Sequence, residues 1–483
     1  MKINPDKIKH NNLAYFRFKN LNGKVLLTNE IGEFIFLKES EFNDFLEGKL
    51  EKSGKLYKEL AEKSFLKKEI KEDDLAQKYA NRKHFLFSGP SLHIFILTAR
   101  CDNKCVYCHA SAQSMEKEGV DMNKETAQKA VNLAFKTPSK ALAIEFQGGE
   151  PLANWEVLKF IVQEAKKLNK KKKKNLEFRL VTNLNLMTQE KLDFLIDSNI
   201  SICTSFDGPE KVHNKNRIWS GKGSGSYQNV TKWTKEFHKQ KDKLKKKKYK
   251  HNIHAIATIS RDSLKYPKQI IDEYIKQGFD TISINTINPY GFSKKAWEKV
   301  GYSSVEYINF YKKMLDYLIE LNLAGKKIKE KNTNVYLEKI RSTKDPNMLE
   351  LRSPCGAGIG QLAYNYNGDV YTCDEGRMLS MMGDESFKLG SVGDGYKKII
   401  DNATVKSMCS ASCLESVPGC SDCAYLPYCG ICPIYNYSEQ GNLLGQMPTN
   451  ERCKINKAVL DYLFEKMQNK DIKEIFKGWV KNN

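Results

Sequence analysis

The sequence lacks long hydrophobic runs. Its longest apolar stretches, such as SLHIFIL at residues 91–97, stop well short of the ~20 residues that a membrane-spanning helix needs. The first residues, MKINPDKIKHNN, contain neither the apolar region nor the small-residue cleavage site of a secretory signal. We therefore expect a globular protein in the cytoplasm, without a membrane partner.

Acidic residues are also few. The chain has 58 Asp and Glu against 79 Lys and Arg, which gives a formal charge of +21, and two lysine tracts at residues 166–175 and 239–250 carry much of the excess. Neither tract interleaves the aromatic side chains that would stack on bases, although Tyr249 ends the second. This favours a solvated surface over a nucleic-acid-binding patch, and the charge would also attract an acidic peptide.

Cysteine, in contrast, is abundant. Thirteen cysteines in a chain expected in the cytosol indicate metal ligands rather than disulfides, because the cytosol keeps thiols reduced. Three lie within residues 101–108 and nine between residues 355 and 453, while Cys203 stands alone and is expected in the core. Two metal-binding regions are therefore predicted.

Between residues 91 and 290, short β-rich runs alternate with amphipathic helical segments. The predicted strands are SLHIFILT, ALAIEFQ, LEFRLVTN, ISICTSFD, NIHAIATIS and DTISINTIN. Apolar strands separated by helices indicate a parallel sheet that is covered on both faces. We predict an α/β fold with a partial (β/α)6 barrel of the TIM type, in which the functional residues belong to the loops that follow the strands.

The loop after the first predicted strand contains a C-x3-C-x2-C motif, formed by Cys101, Cys105 and Cys108. A cubane iron–sulfur cluster has four irons, each usually held by one Cys thiolate, so three thiolates leave one iron free to bind another ligand. A structural zinc site would instead need four ligands, with His109 as the fourth. We favour the cluster, with the zinc site as the alternative.

This motif, with Tyr107 before its last cysteine and GGEP after the next strand, resembles the radical S-adenosylmethionine (SAM) superfamily. The resemblance implies that Cys101, Cys105 and Cys108 hold a [4Fe–4S] cluster whose open iron chelates SAM. It also implies reductive cleavage of SAM to methionine and a 5′-deoxyadenosyl radical, which abstracts a hydrogen atom from the substrate.

The resemblance further implies which residues surround SAM. They are Gly148, Gly149, Glu150, Pro151, Thr182, Asn183, Ser205, Asp207 and Arg217. After Asn183 the family often has glycine, whereas this chain has Leu184. For Ser205, Asp207 and Arg217, helix capping and loop hydrogen bonds are the alternative interpretation.

The C-terminal cysteines resemble the SPASM domain, an auxiliary-cluster module of radical SAM enzymes that modify peptides and proteins. The resemblance implies an outer and an inner [4Fe–4S] cluster. The outer cluster would be held by Cys420, Cys423, Cys429 and Cys453, and the inner one by Cys355, Cys373 and Cys432. Two residues separate Cys429 from Cys432, where the family usually has three.

The fourth position of the inner cluster has two interpretations. We expect Cys409 or Cys413 to fill it, because both lie in the gap between the two halves of the module, and an open position is the alternative. A zinc site at C-x2-C-x5-C-x2-C is the other alternative for this region.

An acidic pair directly follows Cys373. The place of Asp374 resembles that of the residue proposed as a base in sulfatase-maturating relatives. We expect Asp374 to accept a proton from the neighbourhood of the substrate radical, with the adjacent Glu375 as its rival.

The segment before the barrel predicts a β-hairpin around the Asn-Gly of LNGK, a third strand and a helix that starts near KESEF. Small β-rich modules can dock an extended peptide by strand addition. A domain that only caps the barrel is the alternative. This segment, with GPSLHIFILTARC, TCDEGRML and YLPYCGICP, resembles the maturase family of the His-Xaa-Ser repeat peptide system.

Together these observations predict four segments: a β-rich domain at 1–88, a radical SAM partial barrel at 89–340, a SPASM domain at 341–460 and a C-terminal helix at 461–483. The predicted enzyme would use SAM and three [4Fe–4S] clusters to install a crosslink, thioether, epimer or oxidised side chain in a ribosomally made peptide or protein. An electron donor such as flavodoxin or ferredoxin is its expected partner. A radical SAM dehydrogenase of small molecules and a zinc-containing nucleic-acid-binding protein are the alternatives.

Overall fold

The computed structural model describes residues 5–221, 223, 225–240, 244–245 and 252–481. Most of the second lysine tract, including Tyr249, lies outside these residues. Among the described helices, none is both long enough and apolar enough to cross a bilayer.

A three-stranded antiparallel sheet opens the chain. It consists of β1 (Arg17–Leu21), β2 (Lys24–Thr28) and β3 (Phe34–Leu37), with β2 in the middle. Asn22 and Gly23 join the first two strands with φ of 51° and 77°, as the tight hairpin turn requires. The predicted hairpin, third strand and following helix, Glu39–Glu47, are confirmed, whereas the helices Lys55–Glu62 and Glu72–Arg82 were not predicted.

The central element is one sheet of ten strands. In chain order its strands are β4 (Leu92–Ile96), β6 (Ala141–Gln147), β7 (Asn175–Thr182), β8 (Ile200–Ser205), β10 (His254–Ile259), β11 (Thr281–Thr286), β12 (Lys329–Glu330), β13 (Gln361–Tyr364), β14 (Asp369–Tyr371) and β15 (Lys388–Ser391). A separate two-stranded ribbon consists of β5 (Asn103–Cys105) and β9 (Arg217–Trp219). The order across the sheet is β12-β11-β10-β8-β7-β6-β4-β13-β14-β15. The run from β12 to β13 is parallel, and all six predicted strands lie in it, which confirms the expected α/β class.

Helices alternate with the parallel strands along the chain. The longer ones are Lys124–Ala134, Trp155–Lys172, Gln189–Asp197, Ser226–Lys239, Pro267–Lys276, Ser304–Leu323 and Lys331–Arg341, and the shorter ones are Glu210–Asn216, Gly291–Lys295 and Trp297–Val300. Helix Trp155–Lys172 shows how they attach, because Val157, Leu158, Ile161 and Val162 recur at helical spacing and are buried in the main core.

The C-terminal part continues the barrel sheet. Strand β13 pairs in parallel with β4, from Gln361 opposite Leu92 to Tyr364 opposite Phe95, and β14 and β15 add antiparallel strands beyond it. The remaining helices are Asp374–Ser380, Tyr396–Ile400, Ala403–Ala411, Pro433–Gln440, Glu451–Lys466 and Lys470–Lys481. The cysteine-rich segment is thus joined to the barrel through backbone hydrogen bonds.

The inner face of the parallel strands surrounds a cavity of about 2020 Å³. Alternate residues of the strands line it, among them Glu145, Arg179, Cys203 and His254. A closed TIM barrel fills this space with branched apolar side chains. Here the wall combines polar and apolar groups in similar amounts. Cys203 lines this wall, whereas it was expected in the core from the sequence.

The N-terminal sheet packs against the C-terminal part of the chain. Arg17 Nε donates to Ser421 O at 2.5 Å, and Thr28 Oγ1 donates to Ala424 O at 2.7 Å. The ring of Phe34 lies 5.1 Å from that of Phe464. The N-terminal sheet therefore contacts the loop that carries Cys420 and Cys423.

Candidate active site

The C-x3-C-x2-C loop is held by a two-stranded ribbon. Strand β5 pairs antiparallel with β9, which places Cys105 opposite Arg217. Asn183 Nδ2 lies 3.7 Å from Cys101 Sγ, and Arg217 Nη1 lies 4.0 Å from Cys105 Sγ. Such N–H donors and a guanidinium stabilise thiolates, so this donor set fits an anionic iron–sulfur cluster.

Gly148 and Gly149 have no room for a side chain. A Cβ at Gly148 would lie 2.3 Å from Thr98 O, and one at Gly149 would lie 2.2 Å from Arg100 O. The backbones are also bonded, because Gly149 N donates to Thr98 O and Glu150 N to Arg100 O. The glycines therefore let the GGEP loop pack directly on the residues that lead into Cys101.

Glu150, the third residue of this loop, links the end of strand β6 to the end of strand β7. Its fully buried carboxylate accepts hydrogen bonds from Leu152 N, Thr182 Oγ1 and Asn183 N at 3.0, 2.7 and 2.7 Å. Burial, and next the charge of Asp102, raises the pKa of Glu150 to about 7. The third residue of GGEP thus fixes Thr182 and Asn183, the two residues predicted after the next strand.

Asp207 and Arg217 form a buried pair beside the cysteine loop. Arg217 Nη2 lies 3.1 Å from Asp207 Oδ1, and Tyr107 Oη donates to the same carboxylate. Thr258 N and Asn216 Nδ2 also donate to Asp207, each at 3.1 Å. The carboxylate is fully used within the protein, whereas Ser205 lines the cavity.

His109 does not complete a zinc site in this structure. Its Nε2 accepts a hydrogen bond from Asn288 N at 3.1 Å, and burial lowers the pKa of His109 to about 4. Across the described residues, no three His, Cys, Asp or Glu side chains converge as ligands of a single ion. Tetrahedral zinc requires thiolates within about 4 Å of one another, because each Zn–S bond is about 2.3 Å.

Cys355, Cys373 and Cys432 lie in one buried cluster, which also contains Tyr290 and Met408. The four cysteines predicted for the outer cluster line a second, smaller cavity, and Cys432, predicted for the inner cluster, lines it too. Asn456 Nδ2 lies 3.6 Å from Cys429 Sγ. The two predicted ligand sets therefore lie next to each other, with Cys432 between them.

Cys409 and Cys413 lie at the end of helix Ala403–Ala411. Cys413 Sγ donates to Cys409 O at 3.3 Å, and the neighbouring charges at Cys413 are Glu415 and Lys83. Ser412 Oγ accepts a hydrogen bond from Cys355 N at 3.0 Å, so the pair flanks the inner cysteines.

Two buried side chains near the inner cysteines carry polar groups that have no hydrogen-bond partner. They are the hydroxyl of Tyr290 and the Nε and Nη2 groups of Arg352, whose side chains are 0% and 1% exposed. Burial lowers the pKa of Arg352. The nearby Cys355 and Cys409 thiols are among the groups that act in the opposite direction. Unpaired donors around thiols fit an anionic group at this place.

Asp374 and Glu375 both line the large cavity but differ in their contacts. Arg377 binds Asp374 Oδ1 through Nη2 at 2.6 Å and through Nε at 3.1 Å. Burial, and next the charges of Glu350 and Asp374, raises the pKa of Glu375 to about 7. Of the two, Asp374 is the one held as an ion pair.

Several residues of the site were not predicted. Asp102 accepts hydrogen bonds from Asn183 Nδ2 and Trp219 Nε1, at 2.8 and 3.1 Å, and Arg452 contributes a buried charge near Cys432. Asp102 lies inside the cysteine motif, which was a signal available in the sequence. Trp219 lies on β9 two residues after Arg217, and Arg452 directly precedes Cys453, so both are close in the chain to predicted site residues.

Comparison with known proteins agrees with this geometry. Residues 95–241 match the radical SAM superfamily. The cysteine-type anaerobic sulfatase-maturating enzyme of Clostridium perfringens is 23% identical over 392 residues, which cover 79% of this chain and 98% of that relative.

Two solved structures share the fold. Native anSMEcpe with bound AdoMet gives a TM-score of 0.63 at 20% identity, over 80% of this chain and 99% of the other. Streptococcus suis SuiB bound to precursor peptide SuiA gives 0.52 at 14% identity, over 90% and 98%. The match over residues 95–241 shows that the chain carries a radical SAM domain and is an enzyme. Its narrower resemblance to the His-Xaa-Ser maturases stays a prediction.

Proposed function

We propose that this radical SAM enzyme modifies a side chain of a ribosomally made peptide or protein, using SAM and three [4Fe–4S] clusters. The observation that carries the proposal is the cavity, which reaches from Cys101 and the GGEP glycines to Glu375 and Cys432. It therefore connects the predicted SAM site with the predicted inner auxiliary site. A cavity of this size exceeds the roughly 300–1,000 Å³ of ordinary small-molecule pockets and leaves room for an extended peptide chain.

The residues that would hold the first cluster are Cys101, Cys105 and Cys108, and SAM would lie against the GGEP loop, Thr182, Asn183 and Ser205. When bound, these groups supply the radical that removes a substrate hydrogen atom, as in the superfamily. The chain's own residues fix the surroundings, because Glu150 and the pair of Asp207 and Arg217 lock the loops around Cys101 and Cys105.

The proposed reaction also needs a base that removes a proton next to the inner auxiliary site. We propose one of the acidic pair as the base, and the contacts favour Glu375, because two hydrogen bonds from Arg377 already occupy Oδ1 of Asp374. Glu375→Gln should then preserve SAM cleavage, measured as 5′-deoxyadenosine, and abolish the modified peptide. Asp374→Asn is the matched variant, and loss of product in that variant alone would return the role to Asp374.

The N-terminal sheet is proposed to dock the substrate peptide. Strands β1 and β3 are its edges, and each has one neighbour within the described sheet, so an extended peptide can add a strand at either edge. Hydrogen exchange tests this with the full chain and a peptide that the enzyme modifies. Protection should rise at the amides of Phe34–Leu37 or Arg17–Leu21, while those of the central Lys24–Thr28 change little.

The metal content tests the proposal as a whole. Three clusters predict about twelve irons and about twelve sulfides per chain after anaerobic reconstitution. About four irons would remove the auxiliary clusters and with them the argument for a peptide substrate. Zinc without sulfide would favour the nucleic-acid-binding alternative, which steeply salt-dependent binding would then confirm.

A further inference from the structure

The loop of residues 288–292 connects the two predicted cluster sites. Phe292 N donates to Cys108 O at 2.8 Å, and Asn288 N donates to His109 Nε2 at 3.1 Å, so the loop is tied to the first cysteine motif. Tyr290, in the middle of this loop, packs its ring edge-on against His109, with 6.4 Å between the ring centroids, and also belongs to the buried cluster of Cys355, Cys373 and Cys432.

The hydroxyl of Tyr290 is an unexplained buried donor. The side chain is 0% exposed, and its Oη has no hydrogen-bond partner in the structure. Leaving a buried hydroxyl unpaired destabilises a protein, and phenylalanine would fill the same space without this cost. A tyrosine at such a position therefore indicates an acceptor that is present in the working protein.

The surroundings identify the chemistry of that acceptor. The buried cluster that contains Tyr290 also contains Cys355, Cys373 and Cys432, the thiols predicted to hold the inner centre. A tyrosine hydroxyl is protonated at neutral pH, so it can act as a donor here. Iron–sulfur centres carry electron-rich sulfur atoms that accept such hydrogen bonds.

We propose that Tyr290 donates a hydrogen bond to a sulfur atom of the inner auxiliary centre and thereby raises the reduction potential of that centre. The inference rests on the proposed function, since it needs the inner cluster to be present. A hydrogen bond to a cluster sulfur stabilises the reduced, more negative state, which makes the centre a better electron acceptor. Tyr290 is thus a positioning residue that tunes the reduction potential of an electron acceptor. The loop that carries Tyr290 is also hydrogen-bonded to the first cysteine motif.

The experiment compares reconstituted wild-type enzyme with Tyr290→Phe by potentiometric titration, followed by electron paramagnetic resonance. One auxiliary couple should move to lower potential, so that at a fixed poise its reduced-to-oxidised ratio falls about tenfold, which is about 59 mV for a one-electron couple. The other couples and the iron content should match those of the wild type.

Tyr302→Phe is the matched control. Tyr302 is also buried, and its hydroxyl accepts a hydrogen bond from Ile287 N at 3.0 Å, so this variant disturbs the start of the same loop without removing a group from the cysteine cluster. It should leave all potentials unchanged. A shift in both variants would assign the effect to the loop and overturn the proposal.

Two further results overturn it. If all reduction potentials of Tyr290→Phe are unchanged at full iron content, the hydroxyl is hydrogen-bonded only to water. Loss of about four irons in Tyr290→Phe would make the residue a ligand rather than a donor. Wild-type protein with only about four irons would instead refute the proposed function, so the two failures are distinguishable.

Discussion

Arg217 and Asp207 form an ion pair of 3.1 Å in which the side chains are 9% and 0% exposed. Removing one member of a buried pair leaves an uncompensated charge and costs about 3–5 kcal/mol. We expect Arg217→Gln to lower the unfolding free energy by that amount, measured by thermal unfolding of anaerobic protein. Adding Asp207→Asn should recover part of the loss, and a single variant as stable as wild type would contradict the role of the pair.

Gly149→Ala should selectively remove the first cluster. The new Cβ would lie 2.2 Å from Arg100 O, so the chain next to Cys101 must move. We expect iron to fall from about twelve to about eight per chain, since only one four-iron cluster is lost. Gly395→Ala is the control, because a Cβ there meets nothing within 4 Å, and it should keep full iron. Full iron in Gly149→Ala would show that the loop tolerates the displacement.

Leu184 stands where the family often has glycine. Its backbone conformation is unfavourable for a residue with a side chain, and the burial of that side chain compensates. Its φ is 62°, a left-handed conformation that costs a side-chain-bearing residue about 1–2 kcal/mol, but its side chain is 1% exposed within the main core. Removing a buried leucine costs about 2–5 kcal/mol. Leu184→Gly should therefore destabilise the protein by about 1–3 kcal/mol in thermal unfolding. A stabilised variant would mean that backbone strain outweighs packing.

Stability should fall as the pH drops below about 6.5. Burial lowers the pKa of His93 to about 3, whereas an unfolded histidine titrates near 6.5. Between these values the unfolded state binds a proton that the folded state does not, so this stabilisation is present above pH 6.5 and is lost as the pH falls. From pH 7.5 to 5.5 the loss from His93 is roughly 1.4 kcal/mol.

The measurement is the unfolding free energy at both pH values, at equal iron content. His93→Asn should reduce the pH dependence by the share of one histidine, although it also loses the 2.7 Å hydrogen bond to Tyr364 Oη at each pH. His213 is buried with the same direction of pKa shift and should supply part of the remaining dependence. An unchanged slope in His93→Asn would contradict the assignment.

The pair Cys409 and Cys413 is expected to supply the fourth ligand of the inner cluster. The double alanine variant should then lose about four irons while the first and outer clusters stay. Cys203→Ala is a suitable control, since Cys203 lies in the cavity wall apart from the predicted cysteine sets. Full iron in the double variant would leave the fourth position open.

The sequence was informative where structure depends on local patterns. The six parallel strands were predictable because short β-rich runs alternate with amphipathic helical segments, and the Asn-Gly turn marks its hairpin by the positive φ that it needs. The pairing of β13 with β4 was not predictable, because it joins segments that are far apart in the chain. The same holds for Tyr290, whose contact with the inner cysteines joins segments that are far apart in the chain.

Strand β13 also has a consequence for how enzymes of this architecture are recombined. The edge of β4 that faces β13 would carry unpaired backbone groups in a barrel cut after Arg341, and an open apolar edge is a template for aggregation. The barrel and the cysteine-rich segment are therefore not interchangeable parts. Any chimera that exchanges the auxiliary segment has to carry over residues 361–364 in register with Leu92–Phe95, and it inherits the joint stability of both halves.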